Sequence, residues 1–245
     1  MLGFIDIHSH ILPGVDDGSR NMDETLNMLS IAYAEGTVVI IATPHYFPGR
    51  KNIKPVRLKR LASEVNIAAE EQGLKIQVIL GNELLYSMDL IRELDSGEAL
   101  TINGTRYILV EFMSSTSYRE IAFGLNQCIC AGYIPILAHA ERYQCLKKKD
   151  ELVDQFINMG SYIQLNASSI IKSVVNHEYG FCHRLLKRNA VHFIATDAHS
   201  VYKRSPRLLN MVNHLVKEYD DKMVERILWN NPIKMIENEQ IDLLK

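Results

Sequence analysis

Nine side chains able to ligate a metal stand where the apolar runs of this chain end. His8 and His10 close the alternating stretch Phe4-Ile5-Asp6-Ile7-His8, and Asp17 follows in the next loop. His45 comes after the run 37–42 (TVVIIA), Glu83 after 76–80, and Glu111 ends 106–111. His139 follows 133–138, and Asp197 and His199 follow 190–195. A mixed set of imidazoles and carboxylates suits zinc, manganese or iron better than calcium, which takes oxygen alone. Nine ligands exceed the needs of one ion, so two or three ions are expected. Three divalent ions against four carboxylates leave a net charge of about +2, which would draw in a phosphate dianion. Water on such an ion has a pKa near 7 and becomes a nucleophile, and adjacent ions can stabilise entering and leaving oxygens together. Arg142 lies three residues past His139 and Arg204 five past His199, so each can offer a guanidinium fork to phosphate oxygens. Arg207 is a spare candidate ranked below them.

Each residue has a plainer reading when taken alone. His45 after Thr43-Pro44 could be a turn residue, Glu111 could pair with a basic neighbour, and Glu83 could start a helix. Their joint placement carries the metal reading. His177, His183, His192 and His214 lie in helical or strand patterns without partners and are read as surface or packing residues. Asp16 ranks below Asp17 as a ligand. Asp6 would share a face with His8 and His10 if the strand stays extended, and could orient a ligand from behind.

These residues need a scaffold that brings distant strand ends together. Strand patterns alternate with helical ones about seven times. Helices are expected over 22–35, 55–72, 88–94, 118–131, 151–159, 181–188, 207–218 and 221–229, with a helical tail after them. Asn103-Gly104 is a strong turn signal between the runs 99–102 and 106–111. No linker, repeat or composition break divides the 245 residues, so one domain over 1–245 is expected. Strands alternating with helices imply a mostly parallel sheet, and this many favour a closed or nearly closed α/β barrel. In such a barrel all the strand ends named above meet at one rim.

Bulk properties narrow the partners. The chain is 47% hydrophobic and 23% charged with a formal net charge of −2, which gives no electrostatic case for nucleic acid or membrane surfaces. The first residues lack a secretory pattern, and no apolar run approaches the roughly 20 residues of a membrane span. Cys128, Cys130, Cys145 and Cys182 form no Cys-x-x-Cys pair and read as reduced thiols of a cytoplasmic protein. The basic run Arg50, Lys51, Lys54, Arg57, Lys59, Arg60 reads as a solvated helix face, with guidance of an acidic peptide as the rival reading.

In chain order the motifs are Asp6-Ile-His-Ser-His10, Asp16-Asp17-Gly18, Ala42-Thr-Pro-His45, Glu83, Glu111-Phe112, His139-Ala-Glu-Arg142 and Thr196-Asp-Ala-His199. With Thr116-Ser117-Tyr118-Arg119 and Asn231-Pro232, the chain resembles the PHP (polymerase and histidinol phosphatase) superfamily over nearly its whole length. Within it, the chain is similar to the manganese-dependent tyrosine-protein phosphatases of bacterial capsule and exopolysaccharide operons. The resemblance implies a distorted (β/α)7 barrel with three divalent ions, manganese first, with zinc, iron or magnesium as alternatives. It implies His8, His10, Glu83 and Asp197 on one ion, bridging Glu83 with Glu111 and His139 on a second, and Asp17, His45 and His199 on a third. Arg142 and Arg204 match the phosphate-contacting arginines. The implied partner is the phosphotyrosine-bearing C-terminal tail of a cognate bacterial tyrosine kinase. Ala140 departs from the proline of many members.

Three rivals remain. Cys182 to Arg188 matches the Cys-x5-Arg of cysteine phosphatases, but the segment has no glycine and reads as an amphipathic helix. Other PHP members hydrolyse histidinol phosphate or nucleic acid. A metal-holding binding module without turnover is the third.

Overall fold

Among the described residues nine parallel strands form the frame, and two interruptions in them shape the functional end. The structure is a computed structural model that describes residues 3–147, 149–172 and 177–242. The strands are β1 (Phe4–Ser9), β2 (Thr37–Ala42), β3 (His45–Tyr46), β4 (Gln77–Leu80), β5 (Glu83–Leu85), β6 (Tyr107–Glu111), β7 (Ile134–Leu137), β8 (Tyr162–Asn166) and β9 (Phe193–Ala195). They pair in the order β1-β2-β4 and β3-β5-β6-β7-β8-β9. β2 runs on into β3 across Thr43-Pro44, and β4 into β5 across Gly81-Asn82, so the nine strands act as seven staves. Proline cannot donate to a ladder. The two breaks lie side by side, tied by Asn82 Nδ2 donating to the Pro44 carbonyl at 2.8 Å. Past them the ladder resumes with His45 opposite Glu83.

The curled sheet closes on itself by a seam between the first and last strands. Ser9 bridges Ala198, the His10 N–H donates to the Ala198 carbonyl at 2.8 Å, and the Asp197 N–H donates to the His8 carbonyl at 2.9 Å. The sheet is thus a distorted seven-stave α/β barrel of the kind expected. Ile5, Ile41, Ile79, Leu109, Ile136, Tyr162 and Phe193, one from each stave, pack together inside it. The Tyr107 and Tyr162 hydroxyls donate to the Glu239 and Ile241 carbonyls, which ties the C-terminal segment across the far end.

Helices α1 (Met22–Ala34), α2 (Pro55–Glu71), α3 (Leu90–Asp95), α4 (Tyr118–Cys130), α5 (Asp150–Asn158), α6 (Ala167–Ile170), α7 (Tyr179–Lys187), α8 (Leu209–Glu218), α9 (Asp221–Glu225) and α10 (Asn231–Ile236) connect and flank the strands. Local chemistry sets their starts. Asn21 accepts the Glu24 N–H, Pro55 opens α2, and Ser117 with Glu120 forms a capping box on α4.

Three expectations are corrected. Asn103-Gly104 turns the chain as expected, with both residues at positive φ at the end of a 3-10 turn from Ile102, but no strand covers 99–102. The helix expected over 221–229 becomes a π turn over Arg226–Asn230 after Glu225. The unbroken extension expected from Asp6 to His10 is interrupted. Asp6 pairs with Ile40 and Ser9 with Ala42, so β1 carries an extra residue between them. Such a bulge breaks the alternation of side chains. Asp6 accepts the Thr196 N–H and hydroxyl, at 3.0 and 2.5 Å, and the His8 N–H at 3.4 Å, and so stitches the seam behind a ligand.

Candidate metal centre

The C-terminal strand ends bring all nine side chains into one mouth. Glu83 is 1% exposed, and four imidazoles crowd its carboxylate. Oε2 lies 3.3 Å from His8 Nε2, 3.2 Å from His10 Nε2 and 3.1 Å from His45 Nδ1. Oε1 lies 2.8 Å from His139 Nε2. Asp197 Oδ1 lies 3.5 Å from Nε2 of both His8 and His10. Asp17 Oδ1 is 3.4 Å from Nε2 of both His45 and His199. Glu111 stands 3.4 Å from His45 and 3.5 Å from His139.

The donor set fits divalent ions. Ligands ~2.1 Å from one ion stand ~3.0 Å apart at octahedral angles and ~3.4 Å apart at tetrahedral ones. Six of the separations above, 3.1 to 3.4 Å, fall in that range, and the others, at 2.8 and 3.5 Å, lie just outside it. His45 Nδ1, Glu83 Oε2 and His199 Nε2 are buried without a hydrogen bond, so their close neighbours are poorly aimed for one. A buried polar atom left this way costs about 1–3 kcal/mol, which a shared cation would offset. Three groupings could each hold an ion: His8, His10 and Asp197; His45, Glu83 and Glu111; and His10, Asp17, His45 and His199. His45 therefore reaches two groups, as does His10, so the division expected from the sequence is less sharp here.

Electrostatics follow from this crowding. Burial works against charge on the imidazoles, but carboxylate contacts overcome it. They lift His45 to about 10 and His139 to about 9, and hold His10 well above the ordinary histidine value. Burial would raise the Glu83 carboxyl, yet the surrounding histidines hold it well below the usual range. His199 goes the other way, to about 4, through burial and the nearby His10 and Arg204.

Backbone strain marks two of the nine. His139 (φ 34) and Asp197 (φ 53) are left-handed, a state that costs a non-glycine residue of order 1 kcal/mol. Gln164 Oε1 takes the His139 N–H at 2.8 Å, and the Asp197 N–H is held by the seam.

Other residues hold the ligands from behind, and the sequence alone did not reveal them. Asp16 Oδ2 lies 2.8 Å from His10 Nδ1 and also accepts the His45 N–H. Its loop folds back so tightly that a Cβ on Gly18 would lie 2.0 Å from the His10 carbonyl oxygen. Gln164 Oε1 lies 3.2 Å from His8 Nδ1, Gln164 Nε2 donates to Asn166 Oδ1, and Asn166 Nδ2 donates to Asp197 Oδ2. The eighth strand, which offers no ionisable ligand, thus supplies the neutral frame. A strand-end Gln-x-Asn carries no signal until its neighbours are known.

Arg142 and Arg204 both reach the mouth. Each places a guanidinium nitrogen on Asp197, at 2.6 and 2.5 Å, and each side chain stays about two-fifths exposed. Arg207 does not join them; it pairs with Glu35. Of the basic run, Lys51 lines a cleft beside the mouth, while Lys54, Arg57, Lys59 and Arg60 are exposed. Cys182 is buried in α7, where burial pushes its thiol up, the opposite of an activated nucleophile. His177 is exposed and His192 is buried. His183, His214 and Glu218 form a separate cluster, but Tyr219 and the Ile170 carbonyl engage both ring nitrogens of His183.

Known proteins match along nearly the whole chain. A family model described as "Capsular polysaccharide synthesis, CpsB/CapC" covers residues 4–237. The tyrosine-protein phosphatase CpsB of Streptococcus pneumoniae is 32% identical over 242 residues, 97% of this chain and 100% of its own. The tyrosine-protein phosphatase YwqE of Bacillus subtilis (strain 168) is 29% identical over 237 residues, 97% of this chain and 93% of its own. A crystal structure from a study of YwqE and CpsB as "unique metal-dependent tyrosine phosphatases" superposes with a TM-score of 0.90 at 28% identity, covering 98% of this chain and 97% of that one. The histidinol phosphate phosphatase of Lactococcus lactis shares the fold, with a TM-score of 0.60 at 16% identity, covering 89% and 94%. A match of this length places the chain in the CpsB/CapC family of capsular polysaccharide synthesis proteins.

Proposed function

We infer that this chain is a metal-dependent protein-tyrosine phosphatase, a phosphoric monoester hydrolase. His8, His10, Asp17, His45, Glu83, Glu111, His139, Asp197 and His199 hold its divalent ions, three per chain with manganese preferred. The observation that carries the reading is the Glu83 carboxylate, ringed by imidazole nitrogens of four histidines within 3.3 Å. The family and the relatives named tyrosine-protein phosphatase support the substrate class.

Bound ions supply Lewis acidity and neutralise phosphate charge. The chain's own residues do the rest. Arg142 and Arg204 present guanidinium N–H groups at the mouth, where they orient phosphoryl oxygens. Asp16 and Gln164 keep the His10 and His8 rings aimed inward. Tyrosinate leaves readily because its phenol has a pKa of about 10, so little proton donation is required.

The partner implied by the resemblance is the phosphotyrosine-bearing tail of a cognate bacterial tyrosine kinase in capsule or exopolysaccharide synthesis. Free thiols at all four cysteines fit a reducing, cytoplasmic setting. Phosphotyrosine peptide, histidinol phosphate and single-stranded DNA assayed side by side test the substrate. The peptide is expected to be turned over fastest; preference for either of the others would transfer the same centre to that substrate class.

A further inference from the structure

We propose that Phe47 forms the wall of a slot that receives the aromatic ring of the phosphotyrosine substrate. This rests on the phosphatase reading above. A cleft of about 550 Å³ opens directly beside the centre, and Asp17 and His45 line both. Its other walls include Val15, Phe47 and Ile53, with Lys51 at the edge. An apolar cleft continuous with a polar, cation-binding mouth matches a ligand with a phosphate at one end and a flat apolar body behind it.

Depth favours an aryl over an alkyl ester. His8 and His10 are fully buried and Glu83 nearly so, beneath a rim where Asp17 is exposed and His45 partly so. A tyrosine carries its phosphate a ring's length further from the backbone than serine does, so it reaches such a recessed centre while the peptide stays outside. The ring that lines the way is fixed in place. Asn52 Oδ1 accepts the Phe47 N–H and Asn52 Nδ2 donates to the Phe47 carbonyl, both at 2.9 Å. The Phe47 ring stacks on His45, with centroids 5.5 Å apart and planes 27° apart. A half-buried aromatic face held next to a centre residue is suited to offset or edge-to-face packing with a substrate ring. The Arg50 guanidinium, 5.7 Å from the Phe47 centroid, adds positive charge there for acidic neighbours of the phosphotyrosine.

The test uses manganese-loaded wild type, Phe47→Ala and Phe47→Tyr, with phosphotyrosine peptide as substrate and inorganic phosphate as a ring-free inhibitor. Phe47→Ala is expected to lower kcat/KM roughly five- to tenfold, the size of one aromatic contact, with KM carrying the loss. Phosphate inhibition and metal content should stay at wild-type levels, and Phe47→Tyr should restore most of the loss. An unchanged KM in Phe47→Ala would overturn the slot. So would an equal weakening of phosphate inhibition, since Phe47 would then be propping the centre itself. Wild-type protein that ignores phosphotyrosine altogether would instead remove the reaction assignment, and the slot with it.

Discussion

Nδ1 of His10 stands 2.8 Å from Oδ2 of Asp16, an oxygen that also accepts the His45 backbone N–H. The contact keeps the proton on Nδ1 and leaves Nε2 to face Glu83 and Asp197. Asp16→Ala is expected to weaken divalent-ion affinity about 10- to 100-fold, the usual cost of losing such a partner. Manganese titration by calorimetry reads this directly. Unaltered affinity would mean that Asp16 merely shapes its loop.

Gln164 joins His8, the His139 backbone and Asn166 at once. Gln164→Leu fills the same space without these bonds. It should destabilise the fold by about 1–3 kcal/mol, because the His139 N–H is left buried without an acceptor. It should also weaken metal binding in the same sample. Urea unfolding of the stripped protein separates the two effects: intact stability would refute the account of Gln164.

Glu83 meets four of the centre's histidines, more than any other carboxylate among the described residues. Glu83→Ala should therefore empty at least two ion positions together. Metal analysis of the purified variant, with circular dichroism to check folding, counts them. Loss of a single ion would rule out a bridging role.

His192 makes a prediction about acid stability away from the centre. Burial pushes its imidazole from 6.5 down to about 3, and Nδ1 accepts the Ile163 N–H. The unfolded chain takes up that proton below about pH 6.5, whereas the folded protein resists it until near pH 3. Stability from this group is thus present above pH 6.5 and lost as pH falls toward 3, by ~5 kcal/mol in all. His192→Gln keeps an acceptor but does not titrate. Its stability relative to wild type should rise by up to ~1.4 kcal/mol per pH unit on acidification. A difference that stays constant with pH would contradict this.

Much of the architecture was legible because ligands and strand ends coincide in the sequence. Each apolar run is short and bounded, all but 161–165 lead to His, Asp or Glu, and a parallel barrel must gather such ends on one rim. What escaped detection depends on pairing across the sheet. His8 and Gln164 are 156 positions apart, and nothing local in a neutral glutamine signals a role. Asp6 accepts the His8 N–H and also reaches Thr196, 190 positions away across the seam, a pairing that its own neighbours in the sequence do not announce. Asn103-Gly104 turns the chain as expected, but its positive φ angles end a 3-10 turn and join no strand over 99–102. Arg142 and Arg204 reached the expected mouth, but Asp197 holds both there.

Metal content measured alongside phosphotyrosine-peptide hydrolysis, before and after chelation, tests the central claim most directly. Stripped protein should be inactive, and added manganese should restore turnover in step with occupancy, up to three ions per chain. Full activity in protein shown to hold no metal would contradict the account.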